Sequence, residues 1–184
     1  MEIQIAVAKA NRFACLESGD TLETVERPNG GVSVVLCDAN LTGRDAKRIS
    51  LMVVRKVITL LAEGVRDGAA ARAASALLFT DRGGQLAAYL NLLSADLQTQ
   101  TLVMTHNNIT PIFVAQNGVM QCLSGEWSPI GMERNLRPAI TELPLTIGTT
   151  VVFYTDGIIN AGKQFGLEFD SCFLLDTLMG RSEE

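Results

Sequence analysis

The chain has 184 residues, of which 47% are hydrophobic, and a formal net charge of −5. This length and apolar content predict one globular domain over residues 1–184, large enough to bury a core without disulfides or metals as staples. The negative charge and the lack of a dense Lys/Arg stripe argue against nucleic acid and membrane lipid as partners. A discrete ligand or another protein is the expected partner.

The cysteines and the N-terminal sequence indicate in which cellular compartment the protein is expected. The four cysteines are widely spaced among apolar residues, which is typical of buried thiols rather than of a disulfide framework or a zinc site. They are Cys15, Cys37, Cys122 and Cys172. No basic-then-apolar leader and no apolar run of 18 residues occurs. We therefore expect a cytoplasmic protein.

The first half of the chain predicts three strands and two helices. The strands are expected at residues 2–9, 21–26 and 32–38, with the turn Pro28-Asn29-Gly30-Gly31 between the last two. Apolar residues recur at helical spacing over residues 43–62, and an Ala-rich helix is expected over residues 67–79. The polar face of the first helix carries Arg44, Asp45, Lys47, Arg48 and Arg55.

The second half predicts further strands. Consecutive hairpins are expected from the segments 85–95, 100–105, 111–115 and 119–123. His106 falls between two of these segments and is expected in a turn. A strand over residues 139–143, an apolar strand over 149–155 that is covered on both faces, and a helix over 169–179 complete the order. This order predicts an α+β fold in which two packed sheets are flanked by helices.

Three short acidic segments stand at the ends of predicted strands. They are Ser18-Gly19-Asp20, Leu36-Cys37-Asp38-Ala39 and Tyr154-Thr155-Asp156-Gly157. Each segment alone is common turn chemistry, so the interpretation depends on all three occurring together. Carboxylates without a nearby cluster of Cys or His suit a hard cation such as Mg²⁺ or Mn²⁺. This pattern indicates a metal-dependent hydrolase.

Hydrolysis of a phosphate ester assigns a role to each carboxylate. Two ions roughly 3.5–4 Å apart can share one ligand and lower the pKa of the water between them. Asp38 suits the shared position, because the small Ala39 leaves it accessible and offers a backbone carbonyl. Asp156 would hold the second ion, and Asp20 would complete the water shell of the first.

The same segments resemble a known family. The chain is similar to the metal-dependent serine/threonine protein phosphatases of type 2C (PPM), in their compact SpoIIE-like branch, and within it to the RsbX-type stressosome phosphatases. The matching segments cover almost the whole chain: Glu17-Ser18-Gly19-Asp20, residues 35–43 with Ala46 and Ser50, residues 128–132, residues 152–158, and Phe165-Gly166.

The resemblance implies a fold, a cofactor and a substrate. The fold would be a four-layer α-β-β-α sandwich of two mainly antiparallel sheets. The cofactor would be a binuclear Mn²⁺ or Mg²⁺ centre, with Asp20, Asp38, the Ala39 carbonyl and Asp156 as metal ligands and with Asp38 and Asp156 catalytic through a metal-bound hydroxide. The substrates would be phosphorylated STAS-domain stressosome or antagonist proteins, dephosphorylated at serine or threonine.

Two departures from the family leave an alternative open. The loop after Asp38 has Ala39-Asn40-Leu41-Thr42 before the single Gly43, where the family has more glycine, so Leu or Thr at a positive φ would be strained. The family also closes with a strand carrying an Asp-Asp pair, whereas this chain ends at Glu184. Either the chain is truncated or its metal centre is incomplete. The alternative function is a catalytically weak module that binds a phosphoprotein.

Overall fold

The computed structural model describes residues 1–10, 18–125 and 127–167. The elements in chain order are β1 (Thr21–Arg27), β2 (Gly31–Ala39), α1 (Gly43–Ala62), α2 (Asp67–Arg82), β3 (Ala88–Asp96), β4 (Thr101–Asn107), β5 (Ile112–Gln116), β6 (Val119–Leu123), β7 (Ala139–Pro144), β8 (Thr150–Val152) and α3 (Asp156–Ile159). They fall into two compact units. The first unit is Met1–Ile109 with Gly125–Ile147, and the second is Thr110–Ser124 with Gly148–Glu184.

The first unit contains a five-stranded antiparallel sheet with the order β1-β2-β3-β4-β7. The turn between β1 and β2 is short, and Gly30 adopts φ +79° there, a conformation that glycine reaches without strain. The turn between β3 and β4 is held by Asp96, whose carboxylate accepts the backbone N–H groups of Gln98 and Thr99 at 2.8 and 3.1 Å. The β1–β2 hairpin confirms the predicted turn between these two strands.

Helix α1 has the bounds that the apolar spacing predicts. Ile49, Val53, Val57 and Leu61 recur every four residues, so they share one face, and each is at most 1% exposed. They pack with the Ala-rich face of α2, where small side chains allow the helices to approach closely, and with β2 and β3. The core of the first unit therefore lies between the two helices and one face of the sheet.

The second unit contains a three-stranded antiparallel sheet with the order β6-β5-β8. Asn117 and Gly118 join β5 to β6 with φ angles of +53° and +73°. An Asn-Gly pair in the left-handed region is the usual two-residue hairpin turn. Strand β6 has the predicted bounds.

Several predicted strands differ in the structure. Residues 1–10 form no strand, and Ile5 and Val7 are 43% and 54% exposed. Their alternation fits a strand, but an isolated segment without a partner strand gains no ladder hydrogen bonds. The predicted apolar strand over 149–155 is reduced to β8, and neither Val151 nor Val152 is fully buried. The predicted helix over 169–179 lies outside the described residues.

The predicted series of consecutive hairpins is wrong at one step. Strand β4 pairs with β7 and not with β5, which instead pairs with β6 and β8. His106 accordingly lies inside β4, buried to 1% exposure, and not in a turn. Cys37 is buried as predicted, whereas Cys122 is exposed on β6; Cys15 and Cys172 lie outside the described residues. No helix in the described part of the chain is long and apolar enough to cross a bilayer.

Candidate metal centre

Asp20 and Asp38 lie at the same end of the five-stranded sheet. The antiparallel register of β1 and β2 pairs Thr21 with Cys37, and extending that register by one residue brings Asp20 opposite Asp38. Asp20 directly precedes β1, and Asp38 is the next-to-last residue of β2. Two of the three predicted carboxylates are therefore neighbours within the first unit.

The two carboxylates point away from the helices. On the helix side of the sheet, Thr21 Oγ1 lies 2.7 Å from Ser50 Oγ of α1, and Cys37 belongs to the buried core. Side chains alternate between the two faces along a strand, so Asp20 and Asp38 project from the opposite face. Both residues are half-buried.

The thiol of Cys37 shows the electrostatic effect of both carboxylates. Burial is the largest cause that raises the pKa of Cys37, and the charges of Asp38 and then Asp20 raise it further. Cys37 therefore stays a neutral thiol and adds no charge at this end of the sheet.

The segment after Asp38 forms a tight turn without the expected strain. The Ala39 carbonyl accepts the N–H of Leu41 at 2.6 Å. A carbonyl oxygen has two lone pairs, so the Ala39 oxygen retains one for the predicted contact with a cation. The only positive φ in this segment is +63° at Gly43, whereas Thr42 has φ −126°. The single glycine therefore stands at the one position that needs it.

Two lysines bring positive charge to the acidic end of the sheet. Lys47 of α1 donates to the Asp20 carbonyl at 2.8 Å and to Thr21 Oγ1 at 2.9 Å. Lys9 donates to the same Asp20 carbonyl at 2.7 Å. The sequence places Lys47 only on the polar face of a helix, so its contact with the acidic segment had no sequence signal.

Two buried polar residues follow on the face that carries Asp38. Asn91 pairs with Leu36 on one side and with His106 on the other, which makes Asn91 a diagonal neighbour of Asp38, about 7–8 Å away. Asn91 and His106 are each 1% exposed, and the Asn91 amide and His106 Nδ1 have no hydrogen-bond partner within the described residues. Burial lowers the pKa of His106. Two buried polar side chains thus lie behind the carboxylates on this face.

Asp156 belongs to the second unit, where it is the first residue of α3. Its Oδ2 accepts the side-chain amide of Asn160 at 3.1 Å, and Asn160 Oδ1 accepts Lys163 Nζ at 2.8 Å. The carbonyl of Tyr154, two residues earlier, accepts the hydroxyl of Thr110 at 2.8 Å. These contacts hold the start of α3 and the segment before it in place, and they define Asn160 as a partner of Asp156 that the sequence pattern did not indicate.

The Asp20–Asp38 pair fits a hard divalent cation. Mg²⁺ is usually held by one or two carboxylates and keeps several waters, and oxygen donors without sulfur or imidazole select Mg²⁺ or Mn²⁺. Within residues 1–10, 18–125 and 127–167, no group of three or more His, Cys, Asp or Glu side chains is arranged to hold a metal ion. The described residues therefore bring two carboxylates together at this end of the sheet, those of Asp20 and Asp38.

The chain belongs to the SpoIIE family (Stage II sporulation protein E), whose profile matches residues 28–181. A comparison with curated protein sequences gives no match. The chain resembles the solved structure of the PP2C phosphatase domain and a fragment of the regulatory domain of the cell fate determinant SpoIIE from Bacillus subtilis. The TM-score is 0.75 and the identity 20%, over 90% of this chain and 48% of that one. It thus spans about half the length of that relative.

Two further solved structures share the fold. RsbX in complex with magnesium has a TM-score of 0.69 and 11% identity, over 81% of this chain and 71% of that chain. The serine/threonine phosphatase of S. agalactiae has a TM-score of 0.66 and 13% identity, over 92% of this chain and 88% of that chain. Together with the two antiparallel sheets, these similarities confirm the predicted α+β fold of the PP2C type.

Proposed function

We propose that this protein is a metal-dependent phosphoserine/phosphothreonine protein phosphatase. The observation that carries the proposal is the position of Asp20 opposite Asp38 at one end of the five-stranded sheet, in a chain whose residues 28–181 match the SpoIIE family. Membership in that family makes phosphate-ester hydrolysis the expected chemistry, and the two carboxylates supply the oxygen ligands that it requires.

The proposed site has four metal ligands: the carboxylates of Asp20, Asp38 and Asp156 and the carbonyl of Ala39. The cofactor is proposed to be a pair of Mn²⁺ or Mg²⁺ ions. When bound, such ions lower the pKa of a coordinated water and neutralise charge on the phosphoryl oxygens. The carboxylates bind and do not attack phosphorus, so no phosphate becomes covalently attached to the protein.

The proposed substrates are phosphorylated STAS-domain proteins of a stressosome-type signalling system. This proposal is supported by the fold similarity to RsbX and to a solved structure of the bacterial stressosome system, the latter at a TM-score of 0.69 with 14% identity. The net charge of −5 and the absence of a basic stripe agree with a protein substrate rather than a nucleic acid.

Phosphate release tests the proposal. The full chain is incubated with a phosphoserine peptide and with p-nitrophenyl phosphate, with Mn²⁺ or with EDTA. We expect Mn²⁺-dependent release that falls by about 100-fold or more in Asp38→Asn and Asp156→Asn, because loss of a ligand costs at least as much as loss of its outer partner. Asp81→Asn, which changes an exposed carboxylate of α2, is the control. Equal rates for wild type and Asp38→Asn would contradict the proposal.

A second candidate is a catalytically weak module that binds a phosphoprotein. It is favoured by the finding that, among the described residues, no group of three or more His, Cys, Asp or Glu side chains could hold a metal ion. Calorimetric titration with Mn²⁺ separates the two candidates. Two binding events support the enzyme, and the absence of binding together with affinity for a phosphorylated partner supports the module.

A further inference from the structure

Side chains of helix α1 donate hydrogen bonds to the backbone of the segment that carries Asp20. Ser50 Oγ lies 2.5 Å from the Gly19 carbonyl and 2.7 Å from Thr21 Oγ1. Lys47, one turn earlier on the helix, donates to the Asp20 carbonyl and to Thr21 Oγ1. One turn of α1 therefore contacts three consecutive residues, with the proposed metal ligand in the middle.

The donors and acceptors of this network form one consistent chain. A serine hydroxyl has a single proton, which Ser50 donates to the Gly19 carbonyl at the shorter of its two carbonyl contacts. The Thr21 hydroxyl then donates to Ser50 Oγ, and the Lys47 ammonium donates to Thr21 Oγ1. Ser50 is 0% exposed and Thr21 3% exposed, so water does not replace these bonds easily.

The backbone also comes unusually close to the helix at this point. A Cβ atom added to Gly19 would lie 2.6 Å from the Cβ of Ala46, which is too close for two carbons. Only glycine against alanine permits the approach that brings the Gly19 carbonyl to Ser50. The close approach and the hydrogen bonds therefore depend on each other.

The same helix is linked to the other carboxylate through the chain itself. Helix α1 begins at Gly43, five residues after Asp38. The tight turn at Ala39 restricts the short segment between Asp38 and the start of α1. Helix α1 thus fixes Asp38 by covalent connection and Asp20 by the hydroxyl of Ser50.

We infer that Ser50 is a positioning residue for the proposed metal centre: its hydroxyl holds the Gly19–Thr21 backbone so that the Asp20 carboxylate meets a divalent cation together with Asp38. The inference rests on the proposed function, since it assigns Asp20 to metal binding. Ser50 touches neither the cation nor the substrate and acts through the backbone of Asp20.

Calorimetric titration with Mn²⁺ tests the inference without reference to activity. Ser50→Ala is expected to weaken Mn²⁺ binding by about 10-fold, the lower end of the loss seen when a residue that orients a metal ligand is removed. The matched control is Thr59→Ala, which removes a hydroxyl from the exposed side of the same helix, where it donates to the Arg55 carbonyl. Its Mn²⁺ affinity should stay within twofold of wild type.

A double-mutant cycle distinguishes positioning from general support of the fold. If Ser50 acts through Asp20, Ser50→Ala has no further effect on Mn²⁺ affinity once Asp20→Asn is present. Should Ser50→Ala fail to fold, Thr21→Val removes the Thr21–Ser50 and Lys47–Thr21 hydrogen bonds with nearly unchanged shape and leaves the bond from Ser50 to the Gly19 carbonyl in place. A folded Thr21→Val variant should bind Mn²⁺ more weakly than wild type, by less than Ser50→Ala, and unchanged affinity overturns the inference. Circular dichroism and urea unfolding verify that each variant is folded.

The outcomes separate this inference from the proposed function. A folded Ser50→Ala variant with unchanged Mn²⁺ affinity overturns the inference, as does an Asp20→Asn variant that binds Mn²⁺ like wild type. If wild type binds Mn²⁺ with the predicted dependence on Ser50 but releases no phosphate from a phosphopeptide, the inference stands and the proposed enzymatic function fails.

Discussion

Removal of the half-buried arginine Arg27 should destabilise the protein strongly. Arg27 Nη1 lies 2.5 Å from Asp67 Oδ1, and the two side chains are only 17% and 7% exposed. The hydroxyl of Ser94 also donates to Asp67, and Arg27 Nη2 donates to the Val65 carbonyl at 2.9 Å. This network joins β1 and β3 to the start of α2, on the helix side of the sheet.

The loss of stability in Arg27→Met arises because the Asp67 carboxylate stays buried without its partner. Removing one partner of a buried ion pair costs about 3–5 kcal/mol, because the other charge stays buried without compensation. A cavity of about 600 Å³ adjoins Asp67, so water can approach the carboxylate, and Ser94 still donates to it. We therefore expect the lower end, about 3 kcal/mol, which is a large fraction of a typical unfolding free energy of about 5–15 kcal/mol.

Urea unfolding followed by circular dichroism measures this loss. In an Asp67→Asn background no buried charge is left unpaired, so Arg27→Met should cost only about 1 kcal/mol there. Arg55→Met, at an exposed position of α1, is the control and should change stability by about 0.5 kcal/mol or less. Equal losses for Arg27→Met in both backgrounds would refute the reasoning.

Three further predictions follow from burial and close packing. Burial holds the pKa of His106 below its ordinary value of 6.5. As the pH is lowered, His106 is therefore protonated in the unfolded chain at a higher pH than in the folded protein, which favours unfolding. The urea concentration at the unfolding midpoint should therefore decrease as the pH is lowered from 7 to 5. His106→Gln should remove the part of this decrease that His106 causes, and a variant with the same pH dependence as wild type would contradict the prediction. In the native protein the exposed thiol of Cys122 should react with a thiol reagent, whereas the buried Cys37, with its raised pKa, should not. Cys122→Ser should then remove one reactive thiol and Cys37→Ala none. Gly19→Ala should cost about 1–3 kcal/mol of stability through its clash with Ala46, and should weaken Mn²⁺ binding; a variant with wild-type stability and affinity would argue against the close approach.

The sequence predicts the elements whose signals are local. The apolar spacing gives both ends of α1 correctly, and α2 extends only three residues beyond the predicted Phe79. The pairing of β4 with β7 was missed because it joins segments more than 30 residues apart, and nothing in either segment specifies its partner. His106 was misplaced for the same reason, since its burial results from β3 and β7 on either side.

The candidate site was predictable in part. Asp20 and Asp38 become neighbours through a single hairpin, so a correct register of β1 and β2 is sufficient to place them together. The role of Ser50 was not predictable, because a serine on a helix face gives no sign of which backbone it contacts. Asp156 lies at the start of α3, four residues beyond the end of β8 and not directly at a strand end as predicted, and its part in the metal centre stays a prediction.

The central claim is that Asp20 and Asp38 jointly bind a divalent cation. A crystal of the full chain grown with Mn²⁺ and measured at the manganese absorption edge tests it most directly. The account predicts an anomalous peak within about 2.5 Å of carboxylate oxygens of both residues, with further ligands among Ala39, Asp156 and water. A peak elsewhere, or no peak in a crystal soaked at millimolar Mn²⁺, would contradict it.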